Sequence, residues 1–195
     1  DLAEDALRDD PYLLSDPYFG ADFAAVDAFA LELDVEADDE RRVEAGILFE
    51  LSYNLTNGHT FIPQNKLIPA TAALLNLDSE TIESGMERLD EQQRMVRSEV
   101  AGLTACYLPE FYEAECEVTE RLVRMADLRI QPPARLEAML RSIEEKRAID
   151  YAASQMQAIR DAASCQLLLV TGGPGTGKTT VMTGILDLFD AMGLK

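Results

Sequence analysis

The sequence predicts a mainly α-helical chain with one small β-hairpin, leading into the start of an α/β unit. Three observations carry that expectation. Apolar residues recur at three-to-four spacing through Phe23–Leu89. Two short β-prone runs flank Ala101-Gly102. A continuous apolar run, Gln166-Leu167-Leu168-Leu169-Val170-Thr171, precedes a glycine-rich turn and a second amphipathic helix.

The elements follow in order. Asp9-Asp10-Pro11-Tyr12 and Ser15-Asp16-Pro17 place proline where a turn or a first helical residue wants it. Phe23, Val26, Phe29 or Ala30, and Leu33 predict a helix ending near Asp34. A second helix starts at about Asp39 with Val43, Ile47, Leu48, Leu51 and Leu55 on one face, and Asn57-Gly58 stops it. After the short extended Thr60-Phe61-Ile62, Pro63 opens a helix carrying Leu67, Ile68, Ala72, Leu74 and Leu75. Asp78-Ser79 caps the next, whose stripe is Ile82, Met86 and Leu89, with Glu80 and Glu83 near its positive end. Met95–Val100 and Leu103–Leu108 then form the hairpin, so residues 40–108 have the order of a winged-helix module. Pro109 begins a long helix to about Asp127, and Pro132-Pro133 another to about Tyr151. Ser154-Gln155-Met156-Gln157 reads as a capping box on a short helix.

Composition bounds the function. With 195 residues, 47% of them hydrophobic, the chain can bury a real core and is not a disordered acidic tail. No apolar run approaches the roughly 18 residues of a membrane span, so no membrane partner is expected. Three cysteines (Cys106, Cys116, Cys165) without metal-ligand spacing and a single histidine, His59, argue against a zinc site or a His-based triad. The expectation is a reduced, soluble, cytoplasmic protein. Neither Asp1 nor Lys195 reads as a natural terminus, so the chain is expected to be a piece of a longer one. The formal charge of −19 weighs against phosphate binding, but it is unevenly spread. Residues 1–50 hold 16 acids and 3 bases, residues 51–150 hold 17 and 11, and residues 151–195 hold 3 and 3.

The chemistry lies in that neutral tail. Gly172-Gly173-Pro174-Gly175-Thr176-Gly177-Lys178-Thr179 fits G-x-x-x-x-G-K-[ST] between an expected strand and an expected helix. Glycines let backbone N–H groups converge on phosphate oxygens, and the helix start adds its positive end. Lys178 is expected on the β- and γ-phosphates of ATP and Thr179 on Mg²⁺, with Gly173, Pro174, Gly175, Thr176, Gly177 and Thr180 completing the cradle. Only 16 residues follow Thr179, too few for the acidic strand and water-positioning residue that hydrolysis needs, so this stretch alone is expected to be inactive.

With those residues in view, the chain resembles the RecD-like family of superfamily 1 DNA helicases, in particular the stand-alone type with an extended N-terminal region. The phosphate loop through Thr180 is similar to the family's, preceded by Val170-Thr171. Gln155 with Ala158-Ile159, 17 residues before Gly172, resembles its Q motif, whose glutamine reads the adenine edge. Tyr151 could pack on the base, though a core or surface role fits it better. Asp10-Pro11-Tyr12 and Gly20-Ala21-Asp22-Phe23-Ala24-Ala25-Val26-Asp27-Ala28-Phe29-Ala30 resemble the family's Asn-Pro-Tyr and helix-hairpin-helix segment. Gly58-His59-Thr60-Phe61-Ile62-Pro63, Tyr107-Leu108-Pro109 and Tyr112-Glu113-Ala114-Glu115 resemble the stretch after it, which makes His59 structural. Asp22 stands where such hairpins usually carry a second glycine, so a packing or partner-docking role fits better than a DNA clamp. Arg88, Arg94 and Arg97 are either a modest basic cluster or a solvated helix end, the second favoured.

The resemblance implies a helix-hairpin-helix-like segment at 1–38, a winged-helix-like module at 39–108, a helical connector at 109–150, and the truncated start of a P-loop motor domain at 151–195. It implies the N-terminal part of an ATP-dependent helicase of DNA repair or recombination moving 5′ to 3′ on single-stranded DNA, most of whose grip lies beyond Lys195. Two alternatives remain open: the helicase portion of a conjugative relaxase, and a non-catalytic module in residues 1–150 docking a protein partner on its acidic N-terminal face.

Overall fold

A computed structural model describes residues 7–15 and 19–194, in two units, residues 1–116 and 117–195. Asp16 and Pro17 of the second expected turn lie outside the described residues.

The first unit opens with a short 3-10 turn, Pro11–Ser15, whose start is set by Asp10: its carboxylate accepts from the Tyr12 N–H at 3.0 Å. Helix α1 (Phe23–Glu32) follows, with Asp22 as N-cap accepting from Ala25 N–H at 3.3 Å. A cap of this kind contributes about 1 kcal/mol. Helix α2 (Glu40–Thr56) is capped by Asp39 and ends at Asn57. Strand β1 (Phe61–Pro63), helix α3 (Gln64–Leu75) and helix α4 (Ser79–Glu91) come next, α4 capped by Asp78 through the Thr81 N–H at 2.8 Å. Strands β2 (Val96–Val100) and β3 (Leu103–Tyr107) form the expected hairpin. Ala101 and Gly102 both take positive φ (52° and 80°), the backbone a two-residue turn between twisted strands requires. The expected extended stretch at 60–62 is paired: β1 adds antiparallel to β3, Ile62 opposite Cys106, giving the sheet order β1-β3-β2.

One core holds this unit. Val43, Ile47 and Leu51 of α2 meet Leu67 and Leu75 of α3, Ile82, Met86 and Leu89 of α4, and Ile62 and Cys106 of the sheet. Tyr12, Phe23, Val26 and Ala30 join the same cluster, with Phe23 stacked on Phe49 at 4.9 Å between ring centroids. Each such side chain contributes roughly 1.5–3 kcal/mol of transfer free energy. Close approach of α4 to α2 depends on Gly85, where a Cβ would come within 2.5 Å of Val43 Cγ1.

Helix α5 (Pro109–Asp127) has the expected bounds and no fully buried residue. Helix α6 (Leu136–Arg147) is shorter than the expected 132–151. Pro133 makes a turn whose carbonyl takes the Leu136 N–H at 3.0 Å, and Ala148 takes φ 51°, which ends the helix. Helices α7 (Ala153–Ala162) and α8 (Lys178–Met192) complete the second unit. Its core is Leu136, Leu140 and Ile143 against Ile159, Val181, Ile185 and Leu188.

Two expectations are corrected here. The expected α7 capping box is not formed: Ala152 is the N-cap and has no side-chain acceptor, and only Gln155, the third residue, returns its side chain to the Ala152 N–H, so neither Ser154 nor Gln157 plays the expected part. Residues 166–171 form no strand. The run has no regular structure and Leu169 is 79% exposed, because no further strand lies beside it among the described residues and a strand needs a neighbour to satisfy its N–H and C=O groups. Among the described residues no helix is long and apolar enough to cross a membrane.

Candidate functional site

The glycine-rich stretch forms an exposed turn running into α8. Gly175 and Gly177 take φ 76° and 80°, conformations that side chains with a Cβ adopt only under strain. Gly177 is the N-cap of α8, and the first backbone bond into the helix runs from Val181 N–H to the Gly177 carbonyl at 3.0 Å. Among the described residues no protein acceptor takes the N–H groups of Gly175, Gly177, Lys178 or Thr179. Consecutive free N–H groups at a helix start form an anion-binding concavity. Lys178 Nζ donates to the carbonyls of Gly172 and Gly173, at 2.6 Å each, and Thr176 Oγ1 donates to Gly173 at 2.9 Å. These bonds give the Gly172 and Gly173 carbonyl oxygens protein donors. Gly173 and Pro174 lie in the exposed bend, while Thr179 and Thr180 follow Lys178 in the first turn of α8. The Thr179 hydroxyl makes no protein hydrogen bond among the described residues, leaving its oxygen free for a cation.

Gln155, 21 residues before Thr176, meets this loop. Its Nε2 donates to the Thr176 carbonyl at 3.3 Å while Oε1 accepts from Ala152 N–H at 3.1 Å. A Cβ at Gly177 would run into Gln155 Nε2, so glycine there also lets the amide approach. The amide is thereby oriented by the backbone on both sides, with one N–H and one lone pair still free. Tyr151 does not join them. It is 9% exposed within the second unit's core, burial raises its phenol above the ordinary range, and its hydroxyl packs at Gly184 without a hydrogen-bond partner. A ring so enclosed cannot stack on a base.

The model of the ATP-dependent RecD2 DNA helicase HHH domain matches residues 1–61, and that of the AAA domain matches residues 155–195. The ATP-dependent RecD2 DNA helicase of Deinococcus radiodurans is 28% identical over 81% of this chain. The chain is thus similar to RecD-like helicases at both of these regions. It spans 23% of the length of that relative.

The three arginines singled out in the sequence are each paired with a carboxylate. Arg88 and Arg94 both reach the Glu44 carboxylate, at 3.3 and 2.9 Å, and Arg97 holds Asp90 at 2.7 Å. The three arginines are therefore ion-pair partners at the surface, rather than an open basic cluster or simply the solvated helix end that the sequence favoured. Asp22, the departure from a second glycine, works as the α1 cap. The sequence carried a cue for that, a short carboxylate just before an apolar-periodic stretch, which the comparison with glycine hairpins overshadowed. His59 is exposed, beside Asn54, Thr60 and Lys66 around a cleft of about 360 Å³. Among the described residues no group of three or more His, Cys, Asp or Glu side chains is placed to hold a metal ion.

What sequence reasoning missed is a buried fork in the first unit. Arg42 gives Asp27 two hydrogen bonds, Nε to Oδ1 at 2.8 Å and Nη2 to Oδ2 at 3.0 Å, while Tyr12 donates its hydroxyl to Oδ1 at 2.7 Å. Arginine in the first turn of an otherwise acidic helix was the available signal, and its partner 15 residues away had none.

Proposed function

We propose that this chain is the nucleotide-binding N-terminal part of an ATP-dependent DNA helicase that moves 5′ to 3′ and serves repair or recombination. The observation that carries the reading is the loop at 172–179. Unsatisfied N–H groups lead into the start of α8, and the Lys178 ammonium closes back onto the Gly172 and Gly173 carbonyls of the same loop. Those donors suit the oxygens of a triphosphate, and the free Thr179 hydroxyl suits Mg²⁺, which supplies neutralisation of phosphate charge when bound. Lys178 holds the loop closed and brings a positive charge to the β- and γ-phosphate position. Gln155 offers its remaining N–H and lone pair to N7 and N6 of adenine. Residues 39–108, with a hairpin that pairs back onto β1, act as a winged-helix-like module. The acidic front favours a protein partner there, leaving single-stranded DNA chiefly to other regions of the protein.

The test is unwinding by the full protein of duplexes bearing one single-stranded tail. ATP-dependent unwinding of 5′-tailed but not 3′-tailed substrates is the expected result. Preference for the 3′ tail overturns the polarity, and turnover without DNA stimulation overturns the helicase assignment.

Adenine reading gives its own prediction. Gln155→Glu removes the donor to N7 and sets a carboxylate against the Thr176 carbonyl. ATP affinity is expected to fall about tenfold or more, and the preference for ATP over GTP to collapse, since leaving polar groups unpaired costs roughly 1–3 kcal/mol. Competition with a fluorescent nucleotide measures both. Retention of the ATP-over-GTP ratio would show that Gln155 does not read the base.

A further inference from the structure

Helix α6 is fastened at both ends, to two different helices. Near its start, Glu137 accepts from Arg160 of α7 through Nε at 2.9 Å and Nη2 at 3.1 Å. At its last residue, Arg147 donates to Asp187 of α8 through Nε at 2.7 Å and Nη2 at 2.9 Å, with Lys146 3.8 Å from the same carboxylate. Both are planar two-point contacts, which fix relative orientation as well as distance. Between them Leu140 and Ile143 share a core with Ile159 of α7 and Ile185 and Leu188 of α8. Gln155 lies in the first turn of α7, and Lys178 and Thr179 open α8. Among the described residues the hydrogen bond from the Gln155 side chain to the loop is the 3.3 Å bond to the Thr176 carbonyl, too weak to set that spacing by itself.

We propose that Arg147 and Asp187, together with Glu137 and Arg160, are positioning residues that brace α7 against α8 so that Gln155 and the phosphate loop engage the two ends of one nucleotide at once. The proposal rests on the nucleotide reading above. When both ends of a ligand are gripped, the second contact gains from the effective concentration the first creates, but only if the spacing is held. Triphosphate contacts come from the loop and the first turn of α8 alone. Slackening the brace therefore removes the adenine's share of the affinity and spares the phosphates' share.

The test uses the full protein with Mg²⁺ and compares competition by ATP and by inorganic tripolyphosphate against a fluorescent ATP analogue. In Arg147→Lys and Arg147→Ala the affinity advantage of ATP over tripolyphosphate is expected to shrink about tenfold, with tripolyphosphate affinity changed less than about twofold. The swap Arg147→Asp with Asp187→Arg is expected to restore most of the advantage. Glu137→Gln covers the case in which an Arg147 variant does not fold. Its ion pair is exposed and contributes little to stability, yet the advantage is expected to fall about threefold. An unchanged ratio in Arg147→Lys and Glu137→Gln overturns the brace. So does a parallel loss for both ligands accompanied by a lower melting temperature, which would mark the pairs as packing alone. Wild-type protein that binds neither ligand overturns the nucleotide reading and the brace with it.

Discussion

Replacing Lys178 with alanine is expected to bring DNA-stimulated ATP hydrolysis by the full protein to background, a loss of at least about a hundredfold. Two effects combine. The variant loses a charge aimed where negative charge concentrates in phosphoryl transfer, worth several kcal/mol in a water-poor site. It also loses the strap that Lys178 Nζ makes across the Gly172 and Gly173 carbonyls at 2.6 Å each, so those oxygens can turn toward the phosphate position. Lys178→Arg separates the two, because it keeps the charge while a planar guanidinium cannot reproduce two short bonds from one nitrogen. Turnover in Lys178→Arg is expected to stay within about tenfold of the alanine variant. Phosphate release with and without single-stranded DNA measures both, and wild-type turnover in Lys178→Ala would remove the loop from the chemistry.

Much of the fold was legible because its cues are local. The α2, α3 and α4 helices follow their apolar periodicity, and Asp78 caps α4 as its type and place suggest. The hairpin follows from the β-prone runs on either side of Ala101-Gly102, where Gly102 accepts positive φ without strain. The failures share the opposite character. Residues 166–171 have the composition of a buried strand, but a strand exists only through pairing, and pairing is not written in the strand itself. The pairing of β1 with β3 links residues more than 40 positions apart and was equally invisible.

Candidate site residues divide the same way. The glycine-rich stretch is one contiguous segment whose residue types each answer a local need, so its turn with positive φ at Gly175 and Gly177 running into a helix could be anticipated. Gln155 was identified by its offset from the loop, yet its place as third residue of α7 and its bond to Thr176 depend on how α7 meets α8. The arginines at 88, 94 and 97 were ambiguous until Glu44 and Asp90 stood beside them. Charge counted along a chain says little about charge available at a surface.

The second large effect concerns stability and centres on Arg42. Its side chain is 6% exposed and makes four protein hydrogen bonds: two to Asp27, one to the Ala37 carbonyl at 2.6 Å and one to the Leu75 carbonyl at 3.1 Å. It ties α1, the start of α2 and the end of α3 together. Arg42→Ala strips Asp27 of its counter-charge and leaves two carbonyls without their donor, and breaking a buried pair this way costs about 3–5 kcal/mol. Arg42→Met paired with Asp27→Leu is expected to lose less than half as much, because no buried charge is then left unpaired. The pH dependence identifies the mechanism. Burial pushes the Asp27 carboxyl up, but hydrogen bonds from Arg42 and Tyr12 and the Arg42 charge outweigh it and hold the group below 3.8. A carboxyl lowered on folding contributes stability that is present above its unfolded value and lost as pH falls through its folded one, so the wild type loses this contribution only below about pH 4. In Arg42→Ala only the Tyr12 hydroxyl still opposes burial and the carboxyl moves upward, so protonation relieves the variant while the wild type is unaffected. The deficit of Arg42→Ala is therefore expected to be largest near pH 7 and to shrink by at least about 1 kcal/mol on lowering the pH to 4.5. Urea unfolding at the two pH values measures it. A deficit equal at both would assign the loss to side-chain packing rather than to the ion pair.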